Sequence, residues 1–200
     1  SQAARQAGVR HFVYHSVLHP QIEAMPHHWN KMRVEELLFT SGLDFTILQP
    51  TAYMQNVLAY WRQVTSEGLF TLPYAPESRL SLVDLADVAE AAATVIGQSQ
   101  HFGATYELVG TGPLSQHQVA ETFTAVLNRP VRAAAIDRGA WEERARQSGM
   151  ADYAVTTLRQ MFEYYERFGL WGCPHVLTGL LGRKPSSFED FLKRALKTLP

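Results

Sequence analysis

The sequence contains little cysteine and has no excess of charge of one sign. Its 200 residues include one cysteine, Cys173, so no disulfide can form within the chain, which is typical of proteins from reducing compartments. The 18 basic and 19 acidic side chains leave a net charge of −1, and no block of like charge occurs. No apolar run approaches the roughly 20 residues that span a bilayer. We therefore expect a cytoplasmic protein that binds neither nucleic acid nor a membrane.

Histidine is plentiful near the start of the chain, but the spacing does not favour a metal site. The residues concerned are His11, His15, His19, His27 and His28. On a strand, His11 and His15 point the same way but lie about 13 Å apart, too far to share one ion. No carboxylate or thiolate joins them at ligand spacing. We predict no metal.

Residues 27–56 carry the clearest structural pattern, HHWNKMRVEELLFTSGLDFTILQPTAYMQN. One helical stripe of Val34, Leu37, Leu38 and Ser41 predicts a helix whose stripe faces the core. Gly42 provides a left-handed stop. Residues 45–48 then form a short, β-favouring run that Pro50 closes. Helix, turn and buried strand in this order are typical of an α/β fold.

Further strands are predicted at residues 10–17, 80–83, 106–109 and 131–136, the first of them apolar enough to be central in a sheet. Helix caps are predicted at Asp84 and Asp137, a long helix is predicted to start at Asp152, and residues 186–189 cap the last helix. Residues 171–182 resemble a loop. Residues 110–115 (GTGPLS) partly match a phosphate-binding loop, but the third glycine is Ser115, which with Gln118 is better explained as a capping box.

The pattern over residues 29–50 resembles the NmrA-like family, an atypical branch of the short-chain dehydrogenase/reductase superfamily. The residues that carry the resemblance are Trp29, Lys31, Val34, Glu35, Leu38, Ser41 to Leu43, Thr46 to Leu48 and Pro50. The resemblance implies the C-terminal portion of a Rossmann-type, doubly wound parallel sheet with a small, mostly helical substrate lobe. Residues 1–112 would be the partial NAD(P)-binding domain and residues 113–200 the lobe, interleaved with it.

The first residues resemble the end of a helix, with Ala3, Ala4 and Ala7 followed by Gly8. In the family this position follows the first strand and its glycine-rich phosphate loop. We therefore expect the sequence to be the C-terminal two thirds of a longer protein, or one whose N-terminal part was removed.

Catalytic residues follow from the superfamily pattern Tyr-x-x-x-Lys. Lys31 matches the lysine that binds the nicotinamide ribose, whereas His27 stands where the family has tyrosine. Ser16, at a strand end, matches the residue that orients the substrate carbonyl and contacts the cofactor. Histidine can transfer protons near neutral pH, so His27 is a candidate proton donor. The alternatives are a surface pair of Lys31 with Glu35, a solvent-facing His27, and a Ser16 hydroxyl that only completes the strand end.

The strand exit is expected to line the ligand cleft. The resemblance implies cofactor contacts by Pro50, Thr51 and Tyr53 and substrate contacts by Tyr53 and Asn56. Gln49 replaces the arginine that the family has there. A packed Tyr53 is the alternative. The aromatic stripe of residues 152–168 favours core, although some of its members, Tyr164 among them, are candidates for substrate contact.

The resemblance therefore implies an NADP- or NAD-binding oxidoreductase that acts on a quinone or a similar carbonyl acceptor, a small molecule. The alternative is a non-catalytic redox sensor that binds NAD(P) and a regulatory protein partner. A third possibility is that these residues, without a phosphate-binding loop, do not bind nucleotide.

Overall fold

Three parallel strands form the principal sheet of the computed structural model, which describes residues 2–197. The order is β1 (Phe12–His15), β2 (Phe45–Pro50) and β6 (Ala104–Leu108). The apolar run that predicted β2 explains its central place, since it is buried from Thr46 to Pro50. The strand predicted at residues 10–17 is shorter and lies at the edge of this sheet within the described residues. Its expected central position, with neighbours supplied by a preceding segment, stays a prediction.

Two further strand pairs extend the parallel arrangement. β3 (Ala52–Tyr53) pairs with β5 (Leu82–Val83), and β4 (Leu69–Leu72) pairs with β7 (Arg132–Ala135). The pair of β4 and β7 connects the two predicted regions, residues 1–112 and 113–200, because each region contributes one of its strands. Ser1 and residues 198–200 lie outside the described residues. The predicted α/β class with parallel strands is confirmed.

Helices accompany the strands in the first half of the chain and make up most of the second half. They are α1 (Gln2–Gln6), α2 (Pro26–Phe39), α3 (Trp61–Glu67), α4 (Leu85–Val95), α5 (Gln116–Leu127), α6 (Arg138–Gln147), α7 (Asp152–Phe168), α8 (His175–Leu181) and α9 (Phe188–Ala195), with 3₁₀ turns at Met54–Tyr60 and Ser99–His101. The prediction of a loop at residues 171–182 is wrong, because α8 occupies most of that segment. None of the helices within residues 2–197 has the length and hydropathy that crossing a bilayer requires.

Capping side chains begin several helices where the sequence predicts them. Asp84 accepts a hydrogen bond from the Ala86 amide, and Asp137 accepts one from the Ala140 amide, both at 3.0 Å. Ser115 forms the predicted capping box with Gln118. These side chains satisfy amides that the first helical turn leaves unpaired.

The buried face of α2 differs from the predicted stripe. Val34 is 37% exposed and Leu37 is 62% exposed, whereas His28, Glu35 and Leu38 are buried. The predicted stripe is right for Leu38 and Ser41, which are buried, and wrong for Val34 and Leu37. Apolarity alone placed the stripe, while the interior supplies hydrogen-bond donors for the Glu35 carboxylate.

Candidate functional site

A cavity of about 770 Å³ lies where β2 passes into β3. The strand exit forms one wall, with Pro50, Thr51, Ala52 and Tyr53, and side chains of α7 form another. Parallel sheets place ligands at the carboxyl ends of their strands, and the volume is that of a small-molecule site.

Backbone and hydroxyl contacts fix the strand exit. The Pro50 carbonyl accepts a hydrogen bond from the Leu18 amide at 2.8 Å, and the Thr51 amide donates to the Leu108 carbonyl at 3.2 Å. The Thr51 hydroxyl donates to the Ser81 carbonyl at 2.8 Å. Thr51 therefore lines the cavity as a structural residue whose hydroxyl is already engaged.

Lys31 lies beside the cavity and is connected to it through His15. Its Nζ donates to the His15 carbonyl at 3.0 Å and lies 5.3 Å from the centre of the Tyr14 ring. His15 Nε2 is 2.8 Å from the Tyr53 hydroxyl, which lines the cavity. Within residues 2–197 no carboxylate lies within ion-pairing distance of Lys31. Its ammonium therefore keeps hydrogen-bonding capacity beyond the contact with His15.

His27 and His28 both line the cavity, in different states of exposure. His27 is exposed, and partial desolvation together with the nearby Lys31 charge lowers its pKa. His28 is 3% exposed, and burial lowers its pKa to about 4. Both imidazoles are therefore neutral at neutral pH. A neutral imidazole is a weaker acid than an imidazolium, and the proton-donor role of His27 stays a prediction.

Ser16 does not join the cavity wall; it belongs to a buried polar cluster with Glu35 and Gln49. The Ser16 hydroxyl donates to Glu35, and the Gln49 amide donates to both Glu35 oxygens at 3.0 Å. Glu35 thus points inward, and the surface pair with Lys31 is not formed. In this structure the Ser16 hydroxyl is engaged by a carboxylate, and its role toward substrate stays a prediction.

The α7 wall carries aromatic side chains that the sequence indicated as core. Tyr165, Phe162 and Met161 line the cavity, whereas Tyr164 does not and packs on Phe168 with ring centres 4.9 Å apart. Tyr153, near the start of the helix, also lines it. Along α7 the cavity is lined by residues at positions 153, 157, 161 and 165. This four-residue spacing is a helical pattern that could have identified the wall from the sequence.

Of the predicted site residues, the structure brings together His27, Pro50, Thr51, Tyr53 and Asn56 on the cavity wall. Lys31, Ser16 and Tyr164 lie outside its lining. The sequence did not indicate Trp141, Gln116 or Ser78, which also line it. Within residues 2–197 no three His, Cys, Asp or Glu side chains converge to hold a metal ion.

The glycine motif at residues 110–112 has a structural role. The Gly110 and Thr111 amides both donate to the Leu82 carbonyl, at 3.0 and 2.8 Å. A phosphate-binding loop needs free amides at this position. A Cβ on Gly110 would lie 2.7 Å from the same carbonyl, which explains the glycine.

Comparisons with known proteins agree with this geometry. The family model described as the NmrA-like family matches residues 1–192. The NAD(P)H azoreductase of Xenophilus azovorans is 28% identical over 196 residues, covering 96% of this chain and 67% of that protein. Quinone oxidoreductase 2 of Escherichia coli (strain K12) is 26% identical over 188 residues, covering 94% of this chain and 65% of that protein.

Solved structures give the same fold. An NADPH-dependent quinone oxidoreductase from Escherichia coli, in complex with NADPH, superposes with a TM-score of 0.85 at 25% identity, over 98% of this chain and 69% of that one. NmrA, a negative transcriptional regulator in complex with NADP, superposes with a TM-score of 0.73 at 19% identity, over 98% and 68%. The chain thus spans about two thirds of the length of these relatives.

Proposed function

The chain belongs to the NmrA-like family, and on that premise we propose that it is an NAD(P)H-dependent oxidoreductase that reduces a quinone or a similar flat carbonyl acceptor. The observation that carries the proposal is the cavity of about 770 Å³ at the strand exit. Its aromatic wall suits a flat acceptor. Quinone oxidoreductase 2 of Escherichia coli is named for an acceptor of this kind, and the azoreductase of Xenophilus azovorans is named for the reduction of azo compounds.

The residues beside the cavity fit the nicotinamide end of the cofactor. Lys31 retains N–H donors for ribose hydroxyls, because its ammonium donates to a single carbonyl, that of His15. The backbone of residues 50–53 would face the carboxamide. The bound cofactor supplies a hydride. Phosphate contacts are not assigned to the turn at Gly110, whose amides are already engaged.

Tyr53 is the residue that we propose to contact the acceptor. Its hydroxyl is 2.8 Å from His15 Nε2, and burial raises its pKa. The hydroxyl is therefore protonated at neutral pH. With His15 in the tautomer that carries its proton on Nε2, the imidazole donates to the Tyr53 oxygen, and the Tyr53 O–H can donate to an acceptor oxygen. Quinones need little acid catalysis, so the absence of the superfamily tyrosine at His27 is compatible with turnover.

The alternative is a sensor that binds NAD(P) without turnover and contacts a protein partner. The observation that favours it is His27, a neutral imidazole at the position of the family's acid. Turnover distinguishes the two functions.

The test is a titration of the chain with NADPH and NADH, followed by tryptophan fluorescence, and then addition of 1,4-naphthoquinone. We expect NADPH or NADH to bind and to be oxidised when the quinone is present. Lys31→Ala should weaken binding about 10-fold, as expected for loss of charge-assisted hydrogen bonds. Arg33→Ala, which removes an exposed cation from the same helix, is the matched control and should bind as the unmodified chain does.

Binding without oxidation of the cofactor by any quinone would favour the sensor. Absence of binding to both nucleotides would contradict both functions for this chain. An equal effect of the two substitutions would contradict the role proposed for Lys31.

A further inference from the structure

We propose that the cavity contains a polar anchor, formed by Gln116 and Ser78, that binds a hydroxyl or N–H group on the acceptor. The proposal rests on the proposed function and specifies its substrate class. The acceptor would be a flat aromatic compound that carries a hydroxyl or amino group in addition to the group that is reduced.

Gln116 provides a hydrogen-bond acceptor of fixed orientation. It is the first residue of α5 and is 3% exposed. Its Nε2 donates to the Tyr74 carbonyl at 2.8 Å and to the Ala75 carbonyl at 3.3 Å. Rotating the amide by half a turn would place Oε1 against these two carbonyl oxygens, which repel it. Oε1 must therefore be the free atom, and it can only accept a hydrogen bond.

Gln116 Oε1 is buried and has no hydrogen-bond partner among the described residues. The same is true of the Ser78 hydroxyl oxygen. Buried polar atoms are nearly always paired, because leaving one unpaired is costly. Both residues line the cavity, although the two unpaired atoms are themselves covered in this structure. A small movement of each side chain would bring its unpaired atom to an occupant of the cavity, which would supply the missing partner.

One turn holds the two residues together. The Ser78 amide donates to the Ala75 carbonyl at 3.0 Å, and the Gln116 side chain donates to the same carbonyl. The Gln116 amide also donates to the Pro76 carbonyl at 2.9 Å. The anchor thus rests on residues 74–78 and is pre-organised by backbone contacts.

The surroundings make the anchor selective. Leu80, Leu114 and Phe162 are among the apolar side chains that line the same cavity. Burial raises the pKa of Tyr74 and of Tyr165, so these phenols add no negative charge. An occupant without a donor leaves Gln116 Oε1 unpaired in this environment, whereas a hydroxyl or N–H group satisfies it.

The experiment compares two aromatic probes without cofactor, by isothermal titration calorimetry. 2-Naphthol carries a donor, and 2-methoxynaphthalene has a similar shape but none. We expect the unmodified chain to bind 2-naphthol about 3- to 10-fold more tightly, the ratio that one net hydrogen bond supplies. Ser78→Ala and Gln116→Met should each lower this ratio toward one. Gln147→Met, on an exposed face of α6, should leave it unchanged.

Gln116→Met also removes the contacts to residues 74 and 75, so binding of 2-methoxynaphthalene reports whether the cavity persists. Ser78→Ala removes only the hydroxyl and serves as the second test. Equal affinity of the unmodified chain for the two probes, or binding of neither, would overturn the proposal. So would an unchanged ratio in both variants.

Because no cofactor is present, the ratio does not depend on turnover. A chain that prefers 2-naphthol but never oxidises NADPH would support the anchor and contradict the reductase function. A chain that reduces 1,4-naphthoquinone but binds both probes equally would support the reductase function and contradict the anchor.

Discussion

Stability should fall as His28 is forced to ionise. Its side chain is 3% exposed, and burial lowers its pKa from 6.5 to about 4. In the unfolded chain the imidazole binds a proton near pH 6.5. Between these two values the unfolded state carries more protons, so the free energy of unfolding rises with pH. The contribution of His28 is fully present above the unfolded pKa and is lost as pH falls toward the folded value.

The size of the effect follows from these two values. Moving from about pH 7.5 to about pH 5 should cost about 2 kcal/mol through His28, since each pKa unit corresponds to roughly 1.4 kcal/mol and titration is incomplete at the lower pH. The assay is urea denaturation at several pH values. If the free energy of unfolding falls by about 2 kcal/mol per molar urea, the ionisation of His28 should shift the urea midpoint by about 1 M.

His28→Asn isolates the effect. Asparagine can keep a donor near the position of Nδ1, which lies 3.4 Å from the His19 carbonyl, but it does not titrate. The difference in unfolding free energy between the original chain and this variant should therefore change by about 2 kcal/mol across the pH range. His27→Asn, at the exposed neighbour, is the control and should give a smaller change. Parallel pH curves for the original chain and His28→Asn would refute the reasoning.

Two further predictions concern residues that stabilise the fold, and both are measured by chemical denaturation. Gly110→Ala should destabilise by about 1–3 kcal/mol because its Cβ would lie 2.7 Å from a backbone oxygen, whereas Gly112→Ala, with nothing within 4 Å, should be nearly neutral; equal effects would contradict this. Asp87→Ala should cost about 2 kcal/mol, since this 1% exposed carboxylate accepts hydrogen bonds from Arg183 and from the Ser186 amide and hydroxyl. Glu90→Ala, which removes a half-exposed partner of the same arginine, should cost under about 1 kcal/mol, and a larger loss there than at Asp87 would be inconsistent with the burial argument.

Local patterns were sufficient for much of the fold. The order of α2, the turn at Gly42 and β2 follows from periodicity and from a glycine whose φ is +66°. The caps at Asp84, Ser115 and Asp137 follow from side chains that pair with the first amides of their helices. α8 could not be predicted in this way because glycine lies both within it and after it. Leu177, fully buried, packs with residues of α4 and β6, so tertiary contacts support this helix.

The sequence predicted the cavity residues that follow strand β2. It did not predict those whose position depends on the rotation of a helix or on contacts with residues far away in the sequence. Tyr53 and Asn56 follow β2 directly and line the cavity. Tyr164 and Tyr165 are adjacent, so a run of aromatic residues does not reveal which of them faces inward. Gln116 resembles an ordinary residue of a first helical turn, and the turn that orients its amide lies about 40 residues earlier.

The inward position of Glu35 also explains where Lys31 lies. Residues i and i+4 share a helix face, so fixing Glu35 fixes the rotation of α2 and therefore the position of Lys31. The carboxylate is held by neutral donors, the Ser16 hydroxyl and the Gln49 amide, at the ends of β1 and β2. With Glu35 so held, Lys31 reaches the carbonyl of His15, whose ring contacts the Tyr53 hydroxyl. Ser16 and Gln49 thus orient α2 and set the position of Lys31, the lysine that we propose to bind the nicotinamide ribose.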